Sequence, residues 1–187
     1  YDYTNKMLAG RAKEDGSACG FGGCRYSRPP SAINSYDSSS FDLSMRYQLA
    51  RNSLAFVRVG SAFRAPQASE LYRLQRGQEV ADLKPEEMRS LEVGLKHQTE
   101  KFSLATSIYH MSKDNVIFRD TDYYNVSDGK TEHRGLEFDI SLDLSEKLRV
   151  SLSGTHVRHR YDNNPALVRD GEGGRIPIEG NDVDTAP

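Results

Sequence analysis

Between Phe41 and Leu49 the chain reads FDLSMRYQL, and every second residue is apolar. Phe41, Leu43, Met45, Tyr47 and Leu49 alternate with Asp42, Ser44, Arg46 and Gln48. Extended backbone sends successive side chains to opposite faces, so the segment predicts a strand with one apolar and one polar face. The pattern recurs. Leu91, Val93 and Leu95 oppose Glu92, Gly94 and Lys96, and Phe102, Leu104, Thr106 and Ile108 oppose Ser103, Ala105, Ser107 and Tyr109. Leu136, Phe138, Ile140 and Leu142 oppose Glu137, Asp139, Ser141 and Asp143, while Leu148, Val150 and Leu152 oppose Arg149, Ser151 and Ser153. Ser53 to Ala62 reads as a strand of ambiguous facing, because Leu54, Ala55, Phe56, Val57 and Val59 fall on both sides. Tyr1 to Leu8 reads as a poorly alternating strand. The expectation is an all-β, antiparallel chain of about seven strands.

Connection lengths narrow the architecture. Short connections at 50–52, 98–101 and 145–147 separate long polar ones at 9–40, 63–89, 112–132 and 159–187, with Asn115 to Arg119 extending one hairpin. Antiparallel neighbours then put the short turns at one end and the long loops at the other, the asymmetry of outer-membrane barrels. A strand spans a bilayer with only about 9–11 residues, so the mean hydropathy of −0.69 and the lack of a long apolar run are compatible with such a barrel. No basic-then-apolar start suggests a signal peptide. Both ends of the chain stop mid-hairpin, and bacterial single-chain barrels have even strand numbers, so the expected object is part of a larger barrel. A soluble β-sandwich also alternates, with its apolar rows buried against a second layer, and stays open as an alternative.

Composition excludes other classes. Hydrophobic residues make up 36% of the 187, below the roughly 45–50% usual for globular chains. A formal net charge of −2 leaves no basic footprint for nucleic acid. Cys19 and Cys24, with Gly-Phe-Gly-Gly between them, have the spacing to close a small ring, which predicts a disulfide in an oxidising compartment; a pair of free thiols is the alternative.

Several short motifs fall in a specific order. Phe63-Arg64-Ala65-Pro66 is followed by Glu70-Leu71-Tyr72, Leu83-Lys84-Pro85-Glu86 and Leu91-Glu92-Val93-Gly94-Leu95-Lys96. Further on come Ser107-Ile108-Tyr109, Lys113-Asp114-Asn115-Val116-Ile117-Phe118, Asn125-Val126 and His133-Arg134-Gly135-Leu136-Glu137-Phe138. With 180–187 as the approach to a further strand, the stretch from Asp42 to Pro187 resembles the β-barrel of TonB-dependent outer-membrane receptors. The resemblance implies an antiparallel transmembrane barrel segment, 22-stranded when complete, with long extracellular loops and short periplasmic turns. It implies a bacterial outer-membrane location, contact with membrane lipid and no enzymatic activity. It further implies active uptake of a bulky, scarce nutrient energised by the TonB system. A ferric siderophore is the first expectation for this small-molecule or metal-chelate ligand; cobalamin, thiamine and oligosaccharides remain alternatives, as does a passive porin. The family's plug, its motif for the energising partner and its aromatic-ended last strand have no counterpart in these residues, so 1–187 reads as a partial barrel domain that neither gates nor is energised alone.

Candidate ligand contacts crowd the connection after Phe63-Arg64-Ala65-Pro66: Arg64, Gln67, Glu70, Tyr72, Arg73, Gln75 and Arg76. At an outer rim, Arg and Tyr meet an anionic or aromatic ligand through charge-assisted hydrogen bonds or cation–π contact. The competing expectation is that Arg64 and its neighbours pair with carboxylates and hold the loop. Glu137 and Asp139, two apart on one strand, have the order of a glycosidase acid and base, but lumenal pairing with Arg46, Lys96 or Arg149 is the expectation. His156 and His159, three apart in extended chain, point to opposite faces and make a poor ligand pair. His97, His110 and His133 add no ligand spacing, and the aspartates near Asp120 and Asp182 lack the Ca²⁺-loop pattern. No resident metal or cofactor is expected, and no nucleophile elbow, phosphate-binding loop or triad is present.

Overall fold

A computed structural model describes residues 2–3, 26–27, 33–75, 77–78 and 80–183. In chain order the elements are β1 (Asp2–Tyr3), β2 (Tyr26–Ser27), β3 (Asn34–Ser35), β4 (Phe41–Ala50), β5 (Ser53–Arg64), α1 (Ala68–Tyr72), β6 (Leu74–Gln75), β7 (Glu86–Gln98), β8 (Phe102–Arg119), β9 (Asn125–Ser145) and β10 (Leu148–Tyr161). Six strands form one antiparallel sheet in the order β10-β9-β8-β7-β5-β4. Each strand therefore pairs with the next long strand along the chain, which is the meander that hairpin connections impose. The expected crossing at 1–8 falls mostly outside the described residues; Asp2–Tyr3 pairs with Asn34–Ser35 in a separate ribbon.

Register carries the alternation across the sheet. Met45 faces Val57, Val57 faces Val93, Val93 faces Ile108 and Ile108 faces Leu136. On the opposite face Asp42 sits beside Gly60, Ser44 beside Arg58, Arg58 beside Glu92, and Ser107 beside Glu137. The facing of β5 is thereby resolved: its neighbours place Ala55, Val57 and Val59 on the apolar face, and Leu54 and Phe56 on the polar one.

Among the described residues no second layer covers the apolar face. Leu43, Met45 and Tyr47 are 68%, 67% and 68% exposed, and Leu152 is 60% exposed. Water would penalise each such side chain by roughly 1.5–3 kcal/mol relative to burial. The sandwich alternative required these rows to be tucked against the chain itself, and they are not.

Two expectations about connections need correction. The stretch 112–132 is not a loop: β8 runs on to Arg119 and β9 starts at Asn125, leaving a turn at 120–124. Past Ile108 and Leu136 the strict alternation stops, with the apolar run Val116-Ile117-Phe118 spread over both faces, while pairing continues through irregularities at Lys113/Val116 and Val116/Phe118. Asn115, at φ 55°, accommodates the first of these, in the left-handed region that Asn tolerates best after Gly. The stretch 63–89 is likewise structured. It holds α1 and β6, and β7 begins at Glu86, ahead of the expected Ser90.

The buried cluster lies in that connection. Leu71, Tyr72, Leu74, Ala81 and Leu83 are buried together, with Tyr36, Ala68 and Ile117 packed against them. The large sheet thus turns its apolar side outward, and the small core serves only to fix the connection at the loop end.

Candidate functional site at the loop end of the sheet

Arg64 ends β5 and faces Glu86, the first residue of β7, on the polar face. Its Nε and Nη2 donate to the two Glu86 oxygens at 2.8 and 2.7 Å, a bidentate pair. From the same guanidinium, Nη1 donates to Glu70 of α1 at 3.0 Å. Hydrogen bonding to Glu86 holds the Arg64 guanidinium well above its ordinary pKa, against the opposing effect of burial. Burial pushes Glu86 up, yet the Arg64 hydrogen bonds and the Ile117 amide, at 2.8 Å, together hold it below the usual carboxylate range.

Glu70 has a second task. Its carboxylate accepts the Gln67 amide at 2.6 Å, closing a capping box on the five-residue helix, which is too short to hold itself by propensity. Tyr72 is buried, and Asn34 Nδ2 donates to its hydroxyl at 2.7 Å. Gln75 pairs with Tyr26 in the β2–β6 ribbon. Gln67 is exposed, Arg73 half-buried, and Arg76 lies outside the described residues, as do Cys19 and Cys24 with their expected disulfide. The structure therefore brings Arg64, Glu70 and Glu86 together, sets Tyr72 in the small core, and leaves Gln67 exposed.

A second fastening joins this connection to the β8–β9 hairpin. Gln78 and the Asn125 backbone exchange two hydrogen bonds, Nε2 to the carbonyl at 2.9 Å and amide to Oε1 at 3.0 Å. Asn125 Nδ2 also donates to the Glu70 carbonyl at 2.6 Å. Both side chains are buried, so these bonds satisfy groups that would otherwise be costly.

Further along the polar face, His133 and His159 are cross-strand partners with Nδ1 atoms 2.5 Å apart. His133 Nε2 bonds the Thr131 hydroxyl at 2.9 Å. Burial, with Lys113 and His159 nearby, pulls His133 down to about 4. Residues 26 apart in sequence carry no local signal for this pair; only strand register creates it. His156 lies on the opposite face beside Leu136, as alternation predicts.

Deeper on the polar face, charges balance one another. Arg58 pairs with Asp42 at 2.7 Å, Arg149 with Asp143 at 2.5 Å, and Lys96 lies over the Phe56 ring at 5.7 Å. Glu92, Lys96, Glu137 and Asp139 line an open depression of about 380 Å³. Glu137 and Asp139 share this depression with Lys96, but among the described residues neither forms a salt bridge with Arg46, Lys96 or Arg149; Arg149 is taken by Asp143 instead.

A family model described as "TonB dependent receptor-like, beta-barrel" matches residues 8–187. The chain belongs to the TonB-dependent receptor family. Its barrel fold matches solved structures at low identity. The ferric yersiniabactin uptake receptor FyuA from Yersinia pestis is 16% identical with a TM-score of 0.60, over 73% of this chain and 21% of that one. The ferric-catecholate import receptor Fiu from K12 E. coli is 16% identical with a TM-score of 0.58, over 79% and 21%. The copper transporter OprC is 19% identical with a TM-score of 0.57, over 68% and 21%. This TonB-dependent receptor chain therefore spans about a fifth of the length of the structures it matches. Members of the family are outer-membrane proteins of Gram-negative bacteria, and transport rather than catalysis is their business.

Proposed function

We propose that the chain forms part of an outer-membrane receptor that takes up a bulky, scarce nutrient, with a ferric siderophore as first choice and energy from the TonB system. The observation that carries this reading is an amphipathic meander of the receptor family whose apolar side is bare and whose polar side is charge-balanced. Hydrocarbon is the solvent that makes the bare side favourable, and a water-filled lumen suits the other. Solved neighbours described as a ferric yersiniabactin uptake receptor and a ferric-catecholate import receptor support iron chelates as cargo.

Within this reading the connection from Ala65 to Pro85 lies over the lumen mouth, because Arg64 and Glu86 tie it to the polar face. Gln67, Arg73, Gln75 and Arg76 are the proposed ligand contacts. Arg64, Glu70 and Tyr72 set the connection's shape.

The test is iron uptake by cells carrying the full-length receptor, supplied with a panel of ferric chelates, with the TonB system intact or deleted. Uptake of one chelate class that disappears without TonB supports the proposal; uptake that persists without TonB favours a passive porin. Arg73→Ala combined with Arg76→Ala is expected to weaken binding of that chelate, and unchanged affinity would remove both from the site.

A further inference from the structure

The bonds around Asn125 form a bracket. Its Nδ2 donates to the Glu70 carbonyl at 2.6 Å, and its backbone amide and carbonyl exchange bonds with the Gln78 side chain at 3.0 and 2.9 Å. One residue at the start of β9 thus holds the connection at 70 and again at 78. Asn125 is 7% exposed and Gln78 9%, so water competes little for these bonds. Chemistry fixes the orientation of the Asn125 amide: the Glu70 oxygen needs a donor, and Arg119 Nε donates to Asn125 Oδ1 at 3.4 Å. An aspartate of the same size would set an oxygen against the Glu70 carbonyl.

Between the two holds, Leu71, Tyr72 and Leu74 turn into the small core, while Arg73 and Gln75 stay half-buried. Beside the second hold, Gly77 sits at φ 99°, and a Cβ there would lie 2.7 Å from the Tyr124 hydroxyl. Connection and hairpin therefore meet as closely as glycine allows. Further bonds from the same hairpin fall outside the bracketed stretch: Ser127 Oγ accepts from the Lys84 amide at 2.9 Å, and Asn115 Nδ2 donates to the Pro85 carbonyl at 3.1 Å. A segment tied at both ends to one point has little freedom left to lose when a ligand orders it, whereas one released at either end must be ordered anew.

We propose that Asn125 is a positioning residue for cargo capture: by bracketing the connection at 70 and 78 it presents Arg73 and Gln75 to the cargo in one arrangement. Asn125 is buried and acts through those side chains, not by contact. The assignment rests on the uptake reading above, and deepens it by naming a residue of the β8–β9 hairpin on which capture depends.

The experiment measures uptake of radiolabelled iron by cells carrying the full-length receptor, supplied as a ferric tris-catecholate or a ferric tris-hydroxamate complex, with rates expressed per receptor copy in the membrane. For the chelate that wild type takes up, Asn125→Ala and Asn125→Asp are each expected to raise KM about tenfold while the maximal rate per copy is unchanged, the effect of losing one hydrogen bond from the binding-competent arrangement. Gln78→Ala is expected to do the same. Asn125→Ala combined with Gln78→Ala is expected to cost little more than either alone, because opening either end frees the same stretch. Ser127→Ala, which cuts a bond of the same hairpin outside the bracket, is expected to keep the wild-type KM. An unchanged KM in Asn125→Ala, a fall in maximal rate alone, an equal rise in Ser127→Ala, or single effects that multiply to about a hundredfold in the double variant overturns the assignment. Uptake of neither chelate by wild type overturns the iron-uptake reading itself, and the assignment with it.

Discussion

The Tyr109 ring lies flat over Gly135, its cross-strand partner on β9: a Cβ built at Gly135 falls inside the ring's van der Waals shell, 2.5 Å from the phenolic oxygen. Gly154 stands in the same relation to Phe138, and a Cβ there falls 2.5 Å from Phe138 Cζ. In both, the aromatic ring fills the space that an absent side chain leaves on the neighbouring strand.

Gly135→Ala is therefore expected to lower stability by about 1–3 kcal/mol, the usual cost of overpacking. Tyr109→Ala in the same protein removes the three nearest neighbours of the new methyl and is expected to recover part of the loss. Heat-induced unfolding of the full-length receptor in detergent measures both; an unshifted midpoint in the single variant would show that the ring moves aside freely.

Across the lipid-facing band, Met45→Arg is expected to destabilise by up to about 4 kcal/mol, the cost rising with depth, and to reduce membrane assembly, as cations on the lipid face of barrels do. Ser44→Arg, one residue along on the other face, is expected to be tolerated. Membrane-fraction yield and unfolding of the two variants give the comparison, and equal behaviour would contradict the assigned facing.

Breaking the Arg64 pair with Arg64→Ala leaves Glu86 half-buried without its bidentate partner, so a loss of about 1–3 kcal/mol is expected. Because Glu86 is held below the usual carboxylate range, the stabilisation is present at neutral pH and fades as pH falls through the lowered value. Chemical unfolding of wild type and Arg64→Ala should converge in acid.

His133 gives the opposite test of the same linkage. Its folded value of about 4 lies below the ordinary 6.5, so the unfolded chain binds the extra proton first. Its contribution is neutral above about 6.5 and becomes destabilising as pH falls toward about 4. His133→Gln is expected to flatten the decline in unfolding midpoint over that interval, and parallel curves would exclude it.

Asn125→Ala removes the side-chain bond to the Glu70 carbonyl and loosens the hold of the β8–β9 hairpin on the connection. Faster proteolysis within 65–85, with the sheet intact, is the expected result.

Legibility in the sequence followed the solvent boundary. Phe41 to Leu49 and Gly135 to Asp143 announced themselves because one face meets apolar surroundings and the other polar. Above Leu136 strict alternation stops, so only Asn115 to Arg119 signals an extension of the hairpin and the rest of Ser112 to Glu132 reads as loop. Helix α1 was invisible for another reason: five residues cannot display a helical period. In the connection, composition pointed to Arg64 and Glu70, and the expectation that Arg64 pairs with carboxylates matches its place between Glu70 and Glu86. The Gln78–Asn125 and His133–His159 contacts arise from register and loop path, which no local pattern encodes.

The hairpin also determines what the outside world touches first. From Leu136 to Asn125 the chain advances about 36 Å at roughly 3.3 Å per residue. That carries the turn at 120–124, with exposed Tyr123 at its tip, well beyond the last apolar row of the sheet. On the outer-membrane reading proposed above, a protease added outside the cell would reach that turn before the hydrogen-bonded base of the hairpin.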